Sequence, residues 1–135
     1  MVVIDASIWV PLIKRDDDFR RKAKDLVRYL TSKKKKIAIP ALAFTEVAGA
    51  IKRTTKNKKT ALDAVKYMKV ITSRVLTNLA DLEPIATKIA IDYDIKGADA
   101  YYLAVAKTTK SRLYTFDEEQ EKAFEEISKS WKIGE

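Results

Sequence analysis

The fold is decided by the stretch Ala98-Asp99-Ala100-Tyr101-Tyr102-Leu103-Ala104-Val105-Ala106. Its small and apolar residues predict a helix buried in the core, apart from one carboxylate near the start. Burying an unpaired carboxylate costs on the order of several kcal/mol. Asp99 therefore either caps this helix or faces a site that uses negative charge. Three more acids in similarly apolar settings favour the second interpretation: Asp5, Glu46 and Asp117.

The composition indicates one compact, helix-rich domain. The chain has 135 residues, of which 47% are hydrophobic and 34% charged, with only 3 Gly and 3 Pro. It has no cysteine and no histidine, which excludes disulfides, thiol chemistry, Ser-His-Asp catalysis and His-bound zinc. Any hydrolysis must use carboxylates, lysines, tyrosines or a metal held by oxygen. The N-terminus does not resemble a signal peptide and no stretch is long enough to span a membrane, so we expect a cytoplasmic protein.

The charge is unevenly distributed along the chain. The net charge is +8; residues 1–74 carry 19 Lys+Arg and 7 Asp+Glu, and residues 75–135 carry 8 and 12. A basic half of this kind suits a polyanion such as nucleic acid. A solvated surface rich in lysine explains it equally well.

Strands and helices alternate around the Asp99 helix. Short apolar runs predict strands at Val2–Ile4, Ile37–Pro40, 75–79 and 112–116, with an edge strand at 131–133. Helical patterns cover 6–10 (ended by Pro11), 16–32 (opened by three aspartates), 41–56, 60–74, 85–93 and 98–109, and a last helix follows Asp117. This order predicts an α/β fold: a short parallel sheet of four or five strands with about seven helices covering both faces, in three layers.

The four acids have one shared explanation. Asp5 and Asp117 follow strands, Glu46 lies on a helix that follows a strand, and Asp99 lies near a helix start, so all four can meet at the edge where the strands end. There they would repel one another by about 1–4 kcal/mol per close pair. A divalent cation relieves this repulsion, and an all-oxygen site favours Mg²⁺ or Mn²⁺. Taken singly, each acid is equally explained as a helix cap or a surface residue.

These residues resemble the four acidic motifs of PIN-domain ribonucleases, most closely the VapC toxins of toxin–antitoxin pairs. The matching segments are Val3-Ile4-Asp5-Ala6-Ser7, Thr45-Glu46-Val47, the Asp99 stretch and Leu113-Tyr114-Thr115-Phe116-Asp117. The resemblance implies a single PIN-like domain over residues 1–135 that cleaves RNA endonucleolytically. It also implies that Asp5, Glu46, Asp99 and Asp117 hold Mg²⁺ or Mn²⁺ and that Ser7 supports the site. Further implications are a homodimer and a cognate VapB-type antitoxin.

A group of cations follows Glu46 along its helix. We expect these side chains to contact the RNA backbone, although a plain solvated surface explains them as well; they are Lys52, Arg53, Lys56, Lys58 and Lys59.

Other classes of acidic site fit less well. A haloacid-dehalogenase-type phosphatase needs a second Asp two residues after the strand-end Asp, where this chain has Ser7. The acid pair and late-strand lysine of a receiver domain are also missing. Two alternatives to a toxin remain open: a PIN-type nuclease of RNA processing or ribosome maturation, and a non-cleaving PIN-fold binding protein that acts within a complex.

Overall fold

A four-stranded parallel sheet forms the centre of the structure. The computed structural model describes residues 1–76 and 79–131. Its strands are β1 (Val2–Ile4), β2 (Ile37–Pro40), β3 (Arg74–Leu76) and β4 (Arg112–Tyr114), arranged in the order β3-β2-β1-β4 with every pair parallel. β1 and β2 are buried throughout, as the β-branched and apolar residues of a covered parallel sheet predict.

Seven helices occur in the described part of the chain. They are α1 (Ala6–Ile13), α2 (Arg20–Ser32), α3 (Leu42–Thr55), α4 (Lys58–Ile71), α5 (Leu79–Tyr93), α6 (Gly97–Thr109) and α7 (Glu118–Ser128). Helix α1 packs against both α2 and α3, and α3 packs against α4, whereas α6 packs on β1, β2 and β4 and between α5 and α7. The predicted three-layer α/β/α architecture is confirmed.

The strand order creates a crevice between β1 and β4. The chain adds β2 and β3 on one side of β1, then returns to place β4 on the other side. In open α/β sheets, ligands bind where the strand order reverses, at the edge where the strands end, which we call the carboxyl edge. Asp5 and Asp117 follow the two strands that flank this point.

Helix α6 lies in the core, as its sequence predicted. Tyr102, Leu103, Ala104, Val105 and Ala106 are all buried. A continuous buried stretch of this kind requires neighbours on all sides, and the helix finds them in the sheet, α5 and α7. Asp99 is in the first turn of α6 and is therefore held by one of the best-packed elements of the fold.

The prediction that Pro11 ends the first helix is wrong. Helix α1 continues through Pro11 to Ile13. Pro11 lacks only the N–H that would bond the carbonyl of Ser7. Burial of Pro11 and Leu12 against the core compensates for this lost bond.

The second helix also begins later than predicted. Residues 18–19 form a turn after Asp17. The side chain of Asp17 accepts a hydrogen bond from the N–H of Phe19, and the backbone carbonyl of Asp17 accepts one from the N–H of Arg20. Side-chain bonds of this type compete with helix formation, so α2 begins at Arg20.

The remaining differences are shifts of element ends. Asn57 caps α4 by accepting from the N–H of Thr60, so this helix covers Lys58–Ile71 instead of 60–74. Helix α5 begins at Leu79, six residues before the predicted start, and β4 is shorter than predicted. Two of the predicted strands extend outside the described residues, the strand 75–79 at residues 77–78 and the strand 131–133 at residues 132–133. Trp131 is described and is not in a strand. None of the helices in the described ranges is long and apolar enough to cross a bilayer.

Candidate active site

Asp5 is a buried carboxylate at the end of β1. It is only 2% exposed, and its Oδ1 accepts hydrogen bonds from the N–H of Ser7 (3.0 Å) and from Ser7 Oγ (2.6 Å). Asp5 is therefore the N-cap of α1, as the simpler interpretation held, and it lies at the carboxyl edge directly after β1. Burial raises its pKa from 3.8 to about 6, against the lowering effect of hydrogen bonds from Ser7 and Thr115, and the charge of Asp99 raises it further.

Hydroxyl groups connect the ends of β1 and β4. Ser7 Oγ accepts from the N–H of Phe116 (2.8 Å) and lies 3.2 Å from Thr115 Oγ1. Thr115 Oγ1 in turn accepts from the N–H of Asp117 (3.0 Å). The Ser7 hydroxyl therefore links Asp5 to the loop that carries Asp117, and its supporting role stays a prediction.

Asp117 caps the last helix. Its Oδ1 accepts from the N–H of Gln120 (3.0 Å) at the start of α7. Gln120 is 1% exposed, and its Nε2 donates to the carbonyl oxygen of Asp99 (3.2 Å). Gln120 therefore ties the start of α7 to the start of α6 and fixes the spacing between the backbones of Asp99 and Asp117.

Asp99 is the electrostatic centre of the four acids. It is half-buried, and burial raises its pKa. The negative charges of Glu46 and Asp117 raise it further, and Lys96 opposes them. Since Asp99 also raises the pKa of Asp5, it interacts with each of the other three carboxylates.

Glu46 is held from the core side by a tyrosine. The buried Tyr102 donates its hydroxyl proton to Glu46 Oε1 at 2.8 Å. Burial raises the pKa of Tyr102, and the charges of Glu46, Asp5 and Asp99 raise it further, so the hydroxyl remains a donor at every physiological pH. Tyr102 lies one helical turn after Asp99 on α6 and orients Glu46, which comes from α3.

The four carboxylates have no cationic partner within ion-pair distance in residues 1–76 and 79–131. Over the same residues, no three acidic side chains approach closely enough to form a ready-made metal cage. Asp5, Glu46 and Asp117 each have an oxygen engaged in a hydrogen bond. The donor set, four carboxylates with hydroxyl support and no nitrogen or sulfur ligand, matches the chemistry of Mg²⁺ or Mn²⁺.

Helix α3 begins at the carboxyl edge. The expected RNA-binding cations lie at its opposite end and at the start of α4. All five are exposed: Lys52, Arg53, Lys56, Lys58 and Lys59. By helical rise, Lys52 is about 9 Å and Lys56 about 15 Å beyond Glu46. Lys59 is also paired with Asp63 at 2.9 Å. Their contact with RNA stays a prediction.

Three residues of the site were not identified from the sequence. Tyr102 lies within the Asp99 stretch, where its one-turn spacing from Asp99 was the available signal. Thr115 precedes Asp117 by two residues, and a hydroxyl beside a strand-end acid was already recognised at Ser7. Gln120 carried no sequence signal, because its role depends on how α6 and α7 pack.

Comparison with known protein families gives a match. The profile of the PIN domain family matches residues 2–126. The chain therefore belongs to the PIN-domain family, which places it in the nuclease class, and the predicted family is confirmed.

A solved structure with the same fold is VapC20 of Mycobacterium tuberculosis, described as a toxin that cleaves the sarcin-ricin loop. It is 23% identical to this chain, superposes with a TM-score of 0.77, and the match covers 91% of this chain and 95% of VapC20. Comparison with curated protein sequences found no match.

Proposed function

We propose that this chain, as a single PIN domain over residues 1–135, is a metal-dependent endoribonuclease and the toxin of a VapBC-type pair acting in the cytoplasm. The observation that carries the proposal is the position of Asp99, which interacts electrostatically with Asp5, Glu46 and Asp117 where β1 meets β4. Mutually repelling carboxylates without cationic partners destabilise a fold, which favours a role in binding a cation.

The residues that would hold Mg²⁺ or Mn²⁺ are Asp5, Glu46, Asp99 and Asp117. A divalent ion bound there would supply a Lewis acid and a water of lowered pKa for attack at phosphorus. We assign Asp5 and Asp99 as direct ligands. Glu46 and Asp117 complete the negative charge and help to orient the attacking water.

The surrounding residues orient these carboxylates. Ser7 donates to one oxygen of Asp5 and lowers its pKa, which favours the charged form that a cation requires. Tyr102 fixes Oε1 of Glu46 by a hydrogen bond. Gln120 bonds the Asp99 carbonyl, so it holds the backbone and leaves the carboxylate available.

RNA is the proposed substrate. The net charge of +8 favours a polyanion, and the structural relative VapC20 is described as cleaving an RNA loop. The exposed cations at the end of α3 and start of α4 would contact the phosphate backbone: Lys52, Arg53, Lys56, Lys58 and Lys59.

A protein partner is part of the proposal. A VapC-type toxin implies a VapB-type antitoxin, and we also expect a homodimer. A groove of about 1230 Å³ runs between α1, α2 and α4, with Leu12, Val27 and Ile71 among its apolar lining residues and Arg20 and Lys24 among its cations. This combination suits an amphipathic segment with an acidic face, which supports an acidic antitoxin segment as its occupant.

The test is cleavage of labelled RNA, including a sarcin-ricin-loop hairpin, with Mg²⁺, Mn²⁺ or EDTA. We expect cleavage with either ion, none with EDTA, and none by Asp99→Asn. Asp92→Asn is the matched control, because Asp92 is an aspartate on α5 paired with Lys88 outside the site, and it should cleave normally. Full cleavage by Asp99→Asn with Mg²⁺ would contradict the assignment.

The same experiment separates the alternatives. Binding of RNA without cleavage under any metal condition would indicate a non-cleaving PIN-fold protein. A second outcome is that the chain cleaves RNA, its expression does not arrest growth, and no neighbouring reading frame encodes an antitoxin. That outcome would indicate a nuclease of RNA processing or ribosome maturation.

A further inference from the structure

Two phenylalanines, an exposed Phe19 and a half-buried Phe116, form an aromatic pair beside the carboxylates. The rings of Phe19 and Phe116 lie with centroids 5.8 Å apart and planes inclined by 31°. Phe116 directly precedes Asp117, and its N–H donates to Ser7 Oγ, so its backbone belongs to the site. Phe19 is 53% exposed. An aromatic surface therefore begins one residue from a proposed metal ligand.

Phe19 is held in place by its backbone neighbours and not by burial. Asp17 Oδ1 accepts from the Phe19 N–H at 2.9 Å. The next residue, Arg20, donates from Nη1 to the carbonyls of Leu12 and Ile13, at 3.1 and 3.2 Å, where α1 ends. These bonds anchor the start of α2 on α1, so the exposed ring keeps its position beside Phe116.

A cation accompanies the pair. Lys22 Nζ lies 4.7 Å from the centroid of the Phe116 ring, within the range of a cation–π contact. Aromatic rings combined with adjacent cations are the usual means by which proteins bind single-stranded nucleic acid, the rings taking bases and the cations taking phosphates.

We propose that Phe19 and Phe116 form a stacking platform for an unpaired nucleobase of the RNA, and that Lys22 contacts a phosphate beside it. The inference rests on the proposed function and assigns the residues of the same site that would contact the RNA next to the cleaved bond. A base within a duplex has both faces covered by its neighbours, so the platform selects single strands, loops and bulges.

The location favours RNA over a protein as the occupant. Tyr29, further along α2, is equally exposed at 54% and also has a lysine near its ring, Lys33 at 6.0 Å. It lies about 15 Å along the helix from Phe19. Of these two exposed aromatic sites on α2, the one at Phe19 adjoins the carboxylates, where a strand bound for cleavage must pass. Tyr29 is therefore a matched control for an exposed aromatic side chain on the same helix.

The test measures RNA binding separately from cleavage. In the Asp99→Asn background, a fluorescent single-stranded oligoribonucleotide is titrated by anisotropy at several salt concentrations, with a blunt RNA duplex in parallel. Adding Phe19→Ala should weaken single-strand binding about tenfold, whereas Phe19→Tyr and Tyr29→Ala should retain it. Lys22→Met should reduce the slope of log K against log salt for the single strand by about 0.7. Thermal melts verify that each variant is folded.

The platform is overturned if Phe19→Ala binds the single strand as tightly as its parent, if Tyr29→Ala loses as much affinity, or if the duplex is affected equally. Unchanged RNA binding together with weakened antitoxin binding would make the pair a protein-docking surface, which also overturns it. Cleavage by the unaltered chain is scored independently. If the unaltered chain cleaves RNA but Phe19→Ala does not weaken RNA binding, only the platform is refuted. If Phe19→Ala weakens RNA binding but the unaltered chain does not cleave, only the nuclease activity is refuted.

Discussion

Replacing Asp5 with asparagine should stabilise the fold at neutral pH while abolishing activity. Asp5 is 2% exposed, and both its burial and the negative charge of Asp99 destabilise its ionised form. Asparagine has the same shape, and its Oδ1 can accept both hydrogen bonds that Ser7 now donates to Asp5. The substitution therefore removes the charge and keeps the cap of α1.

The magnitude follows from the pKa of Asp5. Because the pKa is raised from 3.8 to about 6 in the folded protein, protonation of Asp5 stabilises the fold. This stabilisation is fully present below about pH 3.8 and is lost as the pH rises through about 6. The loss amounts to about 0.5 kcal/mol at pH 4 and about 3 kcal/mol at pH 7. The amide of the Asp5→Asn variant does not titrate, so the variant escapes this loss.

The assay is urea denaturation of both proteins at pH 4 and pH 7 with EDTA present, followed by far-UV circular dichroism. The free energy of unfolding of Asp5→Asn, relative to the unaltered chain, should increase by about 2–3 kcal/mol from pH 4 to pH 7. Any pH-independent cost of the new amide cancels in this comparison. Asp92→Asn, which alters a half-exposed ion pair on α5, should change by no more than about 0.5 kcal/mol.

The reasoning is refuted if the two proteins show the same pH dependence, since Asp5 would then not be destabilised in the folded state. A second measurement extends the test to the cation. Mg²⁺ or Mn²⁺ should raise the melting temperature of the unaltered chain at pH 7 and have little effect on Asp5→Asn. An equal rise in both would contradict the assignment of Asp5 as a ligand.

Two further substitutions test the supporting residues. Ser7→Ala removes a hydrogen-bond donor that lowers the pKa of Asp5, so the acid limb of the pH–activity profile should move to higher pH. The substitution also removes the acceptor of the Phe116 N–H, so the free energy of unfolding should fall by about 1–3 kcal/mol. An unmoved acid limb would contradict this role of Ser7. Tyr102→Phe keeps the buried ring but removes the donor to Glu46, so cleavage should fall about 10- to 100-fold in a folded protein. Unchanged kinetics together with an unchanged metal requirement would show that Glu46 needs no orientation.

Much of the fold was predictable because its signals are local. The apolar runs of β1 and β2 and the continuous apolar stretch of α6 carry their burial in their own composition. Element ends were less predictable, because they depend on competing bonds. The turn held by Asp17 delays α2, the cap formed by Asn57 advances α4, and the packing of Leu12 carries α1 past Pro11.

In the candidate site, too, the local signals were predictable from the sequence and the contacts between distant segments were not. Each acid was identifiable as a charge in an apolar setting, and strand-then-acid order placed Asp5 and Asp117 at the carboxyl edge. The partners that hold them were not identifiable, since the bond from Gln120 to the Asp99 carbonyl joins elements that meet only after α7 packs on α6. The aromatic pair likewise joins residues 19 and 116, whose proximity no local pattern encodes.

The sequence by itself determined the alternation of strands and helices, the PIN-family motifs and the four acids, because hydrophobic period and residue chemistry are properties of short segments. Only the tertiary structure decided that β4 returns beside β1, that Asp99 interacts with all three other carboxylates, and that Phe19 lies against Phe116. These features depend on how segments that are distant in the sequence pack together. Burial of the carboxylates and repulsion between them arise only where those segments meet in the folded structure.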